Sequence, residues 1–379
     1  MSIEYLEIRN QNFEIAGICD VFKSLIWHVV YFGVGDFEIY APVNPYNLAL
    51  LIEDNYVTRP NDDNIGVIES VDYTYSAQDG RMIVAAGRFA KSILDRRLAC
   101  DIRGFSGGYY QPYPYVLSGN VVGNCMLLIS DCAIDSSLTE RNISQLVLGA
   151  RYESYKEIVD DNGNPTKIQV LNENLLTWTD EFLKKYGLAA HVKLNANNKL
   201  EYTVYEGKNR AVDNTDGNAP VIFSQDYENL ISSDFKANKA IYKNQIVVGG
   251  ESGDDGRYYF ISEPTETGIS RRETYLDASK TSHKYISGGT ETTMSDAEYK
   301  ATLAAIGSQK LSELTNYCTF DGEINLNSLT FVYKSNYDIG DIVTIQDSDT
   351  KIFSNVRILE ITEVQDENGY QLTGKYESV

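Results

Sequence analysis

One serine in the sequence stands in a pattern that could make it a nucleophile. Residues 104–108 read Gly-Phe-Ser-Gly-Gly and match the G-x-S-x-G nucleophile elbow. That elbow needs a strand before the serine and a helix after it, but Tyr-Tyr-Gln-Pro follows here and cannot begin an ordinary helix. Three histidines are available to act as the base: His28, His191 and His283. We interpret residues 101–115, which are rich in Gly, Tyr and Pro, as a loop without catalytic residues.

Two acidic segments could bind a metal ion, and neither has the required spacing. Asp160-x-Asn162-x-Asn164 begins like an EF-hand loop, which needs Gly at position six and Glu at position twelve. This chain has Pro165 and Leu171 there, and the run ESGDDG at 251–256 fits a solvated turn. The five cysteines form no C-x-x-C pair, so they favour neither a zinc site nor a disulfide framework. We predict no metal and no cofactor.

Paired carboxylates are a further source of chemistry, because two acids from distant parts of a chain can cleave a glycosidic bond. The chain has 54 Asp and Glu residues, and their spacing singles out no pair. It has no Gly-rich phosphate-binding loop of either standard form. His28 beside Trp27 lies in an apolar run, which is typical of a packed core histidine. No catalytic residue is therefore predicted, although the sequence does not exclude such a carboxylate pair.

The charge balance limits the possible partners of the chain. Its 54 acidic residues against 33 Lys and Arg give a formal net charge of −21 over 379 residues. Such a surface repels nucleic acid and anionic membranes, so specific nucleic-acid binding is not expected. No apolar run approaches the roughly 18 residues of a membrane span, and the apolar run at 24–34 lacks the basic start of a signal peptide. We expect synthesis in a cytoplasm, with an acidic surface that serves solubility or lines a passage for DNA.

Tyrosine is abundant, with 28 residues in the chain. One cluster lies in the region interpreted as a loop, and it consists of Tyr109, Tyr110, Tyr113 and Tyr115. Exposed tyrosines are favoured at protein interfaces, because the ring buries a large apolar area and the hydroxyl can still form a hydrogen bond. Plain packing is the other explanation. We take these four tyrosines as the candidate interface residues.

The elements that would position such residues are centred on residues 65–97. A period-two pattern predicts a half-buried strand whose inner side carries Val67, Val71, Tyr73 and Tyr75. Gln78-Asp79-Gly80 supplies a tight turn, and a return strand runs from Met82 to Ala86. A short helix follows, and it needs to pack its apolar face on the hairpin to be stable; that face carries Phe89, Ile93 and Leu94.

Further helices are predicted where caps and apolar periodicity coincide. Asn44 and Pro45 begin a helix that ends near Ile52. Apolar stripes predict helices over 121–132 and 173–186, and Gly187 ends the second. Ser295 and Glu298 form a capping box for a helix that continues to about Tyr317. Gly307 inside this helix costs about 1 kcal/mol relative to Ala.

Strands are predicted on both sides of these helices. The middle of the chain has strand patterns at 144–150, 189–194 and 200–205, and a hairpin over 155–170 that turns at residues 161–165. After a polar linker at 212–219, strands are predicted at 221–223, 245–248, 258–261, 273–277, 337–345, 356–362 and 370–376. The pattern indicates a β-dominated α+β chain with β-rich ends around an α+β middle.

Blocks of sequence along nearly the whole chain resemble one known family. In order they include FEIYAPVNPYNLALL, IGVIESVDY, GRFAKSILDRR, VLSGNVVGNCMLLI, ENLLTWTDEFLKKYGL, VIFSQDYENLISSDF, YKNQIVVGGE, RRETYLD and YDIGDIVTI. Together they resemble the baseplate hub, or tail-associated hub, proteins of long-tailed phages and related prophages. The resemblance supplies no catalytic residues.

The resemblance implies a fold and a domain division. It implies two tail-tube-like antiparallel β-barrel domains accompanied by α+β domains. Residues 1–116 would form the first barrel domain with short helices, and 117–211 an α+β domain. Residues 212–379 would form the second barrel region, with a helical insertion near 295–317. Some relatives carry a C-terminal peptidoglycan hydrolase or receptor-binding extension. Because Val379 comes just after the last predicted strand, we expect that activity to be absent here or supplied separately.

The resemblance also implies partners and a location. Three chains would form a ring whose six barrels match a hexameric tail ring. This homotrimer would join the distal tail protein to a downstream spike or receptor-binding tail protein, with the C-terminus of the tape-measure protein inside. The expected location is the tail tip of the virion, after assembly in the bacterial cytoplasm, and the expected role is structural. The alternatives are a tail-associated cell-wall hydrolase and a host carbohydrate-binding module that uses Tyr109–Tyr115.

Overall fold

The computed structural model describes residues 3–106, 109–159, 165–253, 256–262, 266–287, 290–315, 318–324, 330–349 and 353–379. Within these residues the chain is a β-dominated α+β protein. The strands of its N-terminal part are β1 (Leu6–Arg9), β2 (Ile15–Cys19), β3 (Ser24–Val30), β4 (Asp36–Pro42), β5 (Tyr56–Thr58), β6 (Gly66–Val67), β7 (Ser70–Ser76), β8 (Gly80–Arg88), β9 (Leu98–Ala99), β10 (Asp101–Ser106) and β11 (Tyr109–Tyr113).

The remaining strands belong to the middle and the C-terminal parts of the chain. Those of the middle part are β12 (Tyr115–Leu117), β13 (Leu146–Leu148), β14 (Ile168–Val170), β15 (Glu173–Asn174), β16 (Ala189–Leu194) and β17 (Leu200–Tyr205). Those of the C-terminal part are β18 (Ile222–Ser224), β19 (Leu230–Ala237), β20 (Gln245–Gly253), β21 (Gly256–Ile261), β22 (Glu273–Asp277), β23 (Lys284–Ser287), β24 (Thr290–Thr293), β25 (Cys318–Ile324), β26 (Ile342–Gln346), β27 (Phe353–Asp366) and β28 (Gly369–Ser378).

The helices are few and mostly short. The α-helices of the described residues are α1 (Pro45–Leu50), α2 (Val121–Ile129), α3 (Leu175–Lys185) and α4 (Asp296–Thr315). A π-helical turn, Ser130–Ile134, continues α2. Short 3-10 helices lie at Ala90–Arg96, Thr139–Arg141, Gln225–Tyr227 and Gly268–Ser270.

Strands from both ends of the chain form one ten-stranded sheet. Its order is β19-β25-β28-β27-β3-β4-β8-β7, with β26 paired to β27 and β18 paired to β26. At its centre β3 lies antiparallel to β27, with Trp27 opposite Glu363 and Val29 opposite Ile361. Among the described residues β7 and β19 do not pair with each other, so the sheet is open. The two predicted barrels are therefore not confirmed, and the domain division stays a prediction.

The first core cluster lies on this sheet, because alternate residues of each strand point to the same face. Trp27 of β3 and Phe37 of β4 are fully or almost fully buried, and the Trp27 ring packs on Phe89 with 4.8 Å between ring centroids. Ile345 and Ile358 from the C-terminal part belong to the same cluster. The two ends of the chain therefore bury apolar surface together, at roughly 25 cal/mol for each Å² removed from water.

The middle part forms an α+β unit with its own core cluster. Helices α2 and α3 cover the sheet β13-β17-β16, and Cys125, Leu128, Phe182 and Tyr202 are buried between them. Local sequence explains both helix starts, because the Asn120 and Asn174 side chains accept hydrogen bonds from the main-chain N–H groups two or three residues inside each helix. The predicted end of α3 is confirmed by Gly187, which has a φ of 67°.

A third, smaller unit surrounds α4. The sheet β21-β20-β22 packs one face on this helix, and Ile246, Val248, Tyr299 and Leu303 form the buried cluster between them. The predicted capping box is confirmed: the Ser295 N–H donates to Glu298 Oε2 at 2.8 Å, and the Glu298 N–H donates back to Ser295 Oγ at 3.3 Å.

The predicted hairpin and helix at 65–97 are confirmed in part. β7 pairs with β8, and Gly80 after the turn has the positive φ, 77°, that only glycine adopts at low cost. The predicted inner side of β7 is wrong, since Tyr73 and Tyr75 are 62% and 76% exposed. The reason is that β7 is an edge strand, and a period-two pattern does not say whether either face is covered. Ala90–Arg96 is a 3-10 helix that packs its buried Ile93 on the α+β unit instead of on the hairpin.

Three further predictions of local structure need correction. Residues 101–106 and 109–113 form the hairpin β10–β11, where a loop was predicted. β14 pairs with β12 instead of with residues 155–159. Across the predicted turn, Val159 forms a bridge with Pro165, and the Thr166 N–H donates to the Ile158 carbonyl at 3.0 Å; residues 160–164 lie outside the described part. The strand predicted from Tyr337 begins at Ile342, because Gly340, with a φ of 86°, turns the chain first.

Candidate assembly surfaces

The edge strand β7 presents side chains to solvent on both faces. Tyr73 and Tyr75 are largely exposed on one face, and Asp72 and Thr74 are exposed on the other. An edge strand also carries unpaired main-chain N–H and C=O groups, which can pair with a strand of another chain. The opposite edge of the sheet, β19, carries Ile231 with an exposed fraction of 58%. Both edges are candidate surfaces for contacts with other chains.

A second group of exposed apolar residues lies where β2 meets α1. The Ile18 N–H donates to the Tyr46 hydroxyl at 3.0 Å, and a Cβ at Gly17 would lie 2.8 Å from that same hydroxyl. Ile18 and Tyr46 are 43% and 51% exposed, and Ile15 on the same strand is 55% exposed. Since β2 is the edge of the sheet β2-β1-β5-β6, this is another open edge with apolar side chains.

The structure separates Tyr115 from the other candidate interface tyrosines. Tyr115 lies in β12, packs against the core cluster of the α+β unit, and donates its hydroxyl hydrogen bond to Asp131 Oδ2 at 3.4 Å. The main chain of Tyr109, Tyr110 and Tyr113 belongs to strand β11, whose partner is β10. Their side chains lie outside the described part of the chain. The interface role of all four therefore stays a prediction.

The serine motif lies in a hairpin. Gly104, Phe105 and Ser106 are in β10, and the next described residue, Tyr109, begins β11 opposite Ser106. Residues 107 and 108 lie outside the described part. A nucleophile elbow needs a helix after its serine, whereas the described residues that follow form a strand.

The three histidines lie in different surroundings. His28 lies between two carboxylates, with Nδ1 3.1 Å from Asp36 and Nε2 3.3 Å from Glu360. His283 stacks on Tyr299 and places Nδ1 2.7 Å from Glu251. Burial, together with the positive charges of Lys193 and Lys91, lowers the pKa of His191 to about 3. In the described residues none of these imidazoles is hydrogen-bonded to a Ser, Thr or Cys side chain.

A buried ion cluster joins the two ends of the chain, and nothing in the sequence indicated it. The Arg59 guanidinium pairs with both Asp62 and Glu363, and its carbon lies 5.0 Å from the centroid of the Trp27 ring. Lys334 Nζ also contacts Asp62 at 3.0 Å. Burial alone would raise the pKa of Asp62, but Lys334 and Arg59 hold it at about 2. Arg59 and Glu363 lie 304 positions apart, so no local motif could reveal the pair.

The other groups that could react are buried or dispersed. Burial raises the pKa of the Cys19 thiol to about 11 and that of Cys125 to about 12, so both are protonated and poor nucleophiles at neutral pH. Among the described residues, no group of three or more His, Cys, Asp or Glu is placed to hold a metal ion. No helix in the described ranges combines the length and the apolar character needed to cross a membrane.

The fold and these surfaces define a class: a β-dominated α+β protein whose sheet edges are open among the described residues. Residues 5–373 match the family described as Siphovirus ReqiPepy6 Gp37-like protein, so the chain belongs to this family of phage tail proteins. The resemblance found in the sequence is thereby confirmed at the level of the phage tail. The chain is a phage tail structural protein. No curated protein matches it.

Three solved structures share the fold over nearly their whole length. The tail protein from Neisseria meningitidis MC58 has a TM-score of 0.56 at 12% identity, over 99% of this chain and 96% of that one. The 43 kDa tail protein of prophage MuSo2 from Shewanella oneidensis has a TM-score of 0.57 at 10% identity, over 98% of both chains. Prophage tail protein gp18 from Listeria monocytogenes EGD-e has a TM-score of 0.54 at 13% identity, over 98% of this chain and 94% of that one. At such identities the likeness shows the fold alone.

Proposed function

We propose that the chain is the structural hub at the tip of a phage tail. Three copies form a ring that joins the hexameric tail, through the distal tail protein, to a spike or receptor-binding protein below. The tape-measure protein ends inside the ring, and the ring leaves a channel for DNA ejection. The observation that carries this proposal is the match to a phage tail family over residues 5–373, which leaves only short segments at each end.

The open edges of the ten-stranded sheet support a ring. If β7 of one copy lies beside β19 of the next, each contact satisfies main-chain groups at edges that pair with no further strand among the described residues. The exposed rings of Tyr73 and Tyr75 would then be buried at the contact. A sheet that continues from copy to copy encloses a channel without any closed barrel in the single chain.

The charge of the chain supports the passage of DNA. A formal net charge of −21 for each copy gives a ring with an acidic surface, and such a surface repels the phosphate backbone. DNA would therefore move through the channel without binding to its wall.

We propose no enzymatic activity for the hub. A cleared band in zymography of the purified chain on peptidoglycan would overturn that part of the proposal and favour a cell-wall hydrolase.

The edge contact is tested by placing charge on β7. The double variant Tyr73→Lys/Tyr75→Lys should reduce the trimer to monomers in sedimentation velocity, because lysines on an edge strand oppose pairing with another strand. Tyr155→Lys is the matched control, since Tyr155 is 100% exposed and belongs to neither β7 nor β19. If the double variant forms trimers as readily as the control, the ring is not held by this edge.

A further inference from the structure

A pocket of about 400 Å³ opens beside the sheet β2-β1-β5-β6. Its other walls are the 3-10 helix Ala90–Arg96 and the loop at residues 142–145. Ile93, Arg96 and Arg97 line it from the helix side, and Tyr56 lines it from β5. Asn142 and Gln145 line it from the loop. Its volume lies in the range of 300–1,000 Å³ that is usual for ligand sites.

Two arginines, Arg96 and Arg97, line this pocket, and Arg141 contacts Arg97 from outside the lining. Arg97 donates from Nε to the Arg141 carbonyl at 2.6 Å and from Nη1 to the Arg96 carbonyl at 2.9 Å. Arg141 in turn donates from Nη1 to the Cys100 carbonyl at 3.1 Å. In the part of the chain that the structure describes, none of these three arginines forms an ion pair with a carboxylate. Main-chain carbonyls accept hydrogen bonds from the guanidinium groups of Arg97 and Arg141, and these carbonyls carry no formal charge to neutralise them.

The neighbouring charges make the region more positive. Burial lowers the pKa of Arg97, and the positive charges of Arg141 and Arg96 lower it further, which shows that cations surround it. Lys199, next to the lining residue Leu200, donates to the Ser144 carbonyl at 2.8 Å. Among the described residues of the lining, Asp54 is the one that is acidic. Unpaired arginines are unexpected in a chain with 54 acidic against 33 basic residues, since carboxylate partners are abundant elsewhere in it.

We propose that this pocket binds a carboxylate-rich peptide segment of another tail protein. Guanidinium groups bind carboxylates through two parallel hydrogen bonds, and Arg96 is exposed and positioned to do so. The lining also offers amides, Gln11 and Gln145, for a peptide main chain, and apolar atoms of Ile93 and Ile143 for side-chain stems. An extended polyanion such as DNA is disfavoured, because the net charge of −21 repels it over its whole length.

The test is fluorescence anisotropy with the full chain and two labelled peptides. The first probe is Gly-Glu-Leu-Asp-Glu-Leu-Gly, and the second has Gln and Asn in place of Glu and Asp. The acidic peptide should bind at least tenfold more tightly than the amide peptide, and binding should weaken as salt is raised. Arg96→Glu should weaken binding of the acidic peptide at least tenfold, and Arg96→Lys should weaken it by a smaller factor.

The matched control is Arg271→Glu, because Arg271 is a half-buried arginine that pairs with Glu273 and does not line the pocket. This variant should bind the acidic peptide like the wild type. The proposal is wrong if the two peptides bind equally, if neither binds, or if Arg96→Glu binds as the control does. It is also wrong if a labelled single-stranded DNA binds more tightly than the acidic peptide in an Arg96-dependent way. None of these outcomes depends on whether the chain forms a trimer.

Discussion

At the scale of single residues, the Arg59 cluster connects parts of the chain that are far apart in sequence. Arg59 and Asp62 follow β5, Glu363 lies in β27, and the Tyr370 hydroxyl donates to Glu363 from β28. The side chains of Arg59, Asp62 and Glu363 are all less than one-tenth exposed. Buried charges are stable only when they are paired, so the cluster requires both ends of the chain to be in place together.

Replacing Arg59 by Met should destabilise the chain strongly. The change leaves the Glu363 carboxylate buried without a cation, and breaking one partner of a buried pair costs about 3–5 kcal/mol. Urea unfolding followed by circular dichroism measures the loss. Arg271→Met, which breaks the exposed pair with Glu273, is the control and should change the free energy of unfolding by less than about 1 kcal/mol. Equal effects of the two variants would show that the cluster does not stabilise the fold.

His191 should make stability depend on pH below neutrality. Its pKa is about 3 in the folded chain and 6.5 ordinarily, so between these values the unfolded state binds more protons and stability falls as pH falls. Because the side chain is partly exposed, we expect a loss of about 1–2 kcal/mol between pH 7.5 and pH 5. His191→Gln should remove this part of the pH dependence in urea unfolding. If the free energy of unfolding changed equally with pH in the wild type and in the variant, His191 would not be the source of this pH dependence.

Residue-level features of the candidate site were only partly accessible from sequence. The four tyrosines were chosen by composition, and Tyr115 turned out to pack inward because β12 pairs with β14. The exposed Tyr73 and Tyr75 were expected on the inner side. Alternation shows which residues share a face of a strand, but the face that is covered depends on strands that are distant in sequence.

At the scale of elements, α4 contains a glycine whose role is packing. A Cβ at Gly307 would lie 2.8 Å from Val248 Cγ2 and 3.3 Å from the Phe260 ring. The close approach of α4 to β20 and β21 therefore requires a residue without a side chain at this position. The sequence showed only that glycine weakens a helix.

Gly307→Ala should consequently destabilise the chain. Helix propensity alone predicts a gain of about 1 kcal/mol, whereas forcing a methyl group against a β-branched neighbour costs about 1–3 kcal/mol. Chemical unfolding of the variant decides the sign. Ser308→Ala, the next position in the same helix, should stay within about 0.5 kcal/mol of the wild type. A stabilised Gly307→Ala would mean that the helix and sheet are less tightly packed than described.

The junction between β8 and the 3-10 helix Ala90–Arg96 is a second test at this scale. Phe89 and Ile93 are each 6% exposed, Phe89 against Trp27 and Ile93 in the core of the α+β unit. Phe89→Asp and Ile93→Asp should each cost more than about 4 kcal/mol and prevent assembly, because a carboxylate is buried without a partner. Ile269→Asp, at a fully exposed site, should assemble normally. Normal trimers from either core variant, by sizing with light scattering, would refute this.

Elements with local causes were predictable. Caps and periodicity identified α1, α3 and the start of α4, and alternation identified β16, β17 and β22 with the bounds that the structure has. Pairings between distant segments were not predictable, as β3 with β27 and β12 with β14 show. Such pairings depend on which strands meet in three dimensions, and a single sequence contains no record of that.

At the scale of the whole molecule, the ends of the chain are joined in one sheet. β3, β4, β7 and β8 come from the first 88 residues, and β25 to β28 come from the last 62, yet they belong to one sheet. Residues of β3, β4 and β8 also share one core cluster with residues of β26, β27 and β28. This arrangement holds two exposed sheet edges at fixed positions. A protein built in this way is suited to contacts with further chains on both sides.

The most direct test of the account is the mass and shape of the purified chain. Light scattering should give three times the mass of one chain, and cryo-electron microscopy of the same sample should show a threefold ring with an open centre. A monomer at all concentrations, or an assembly without a central channel, would contradict the account.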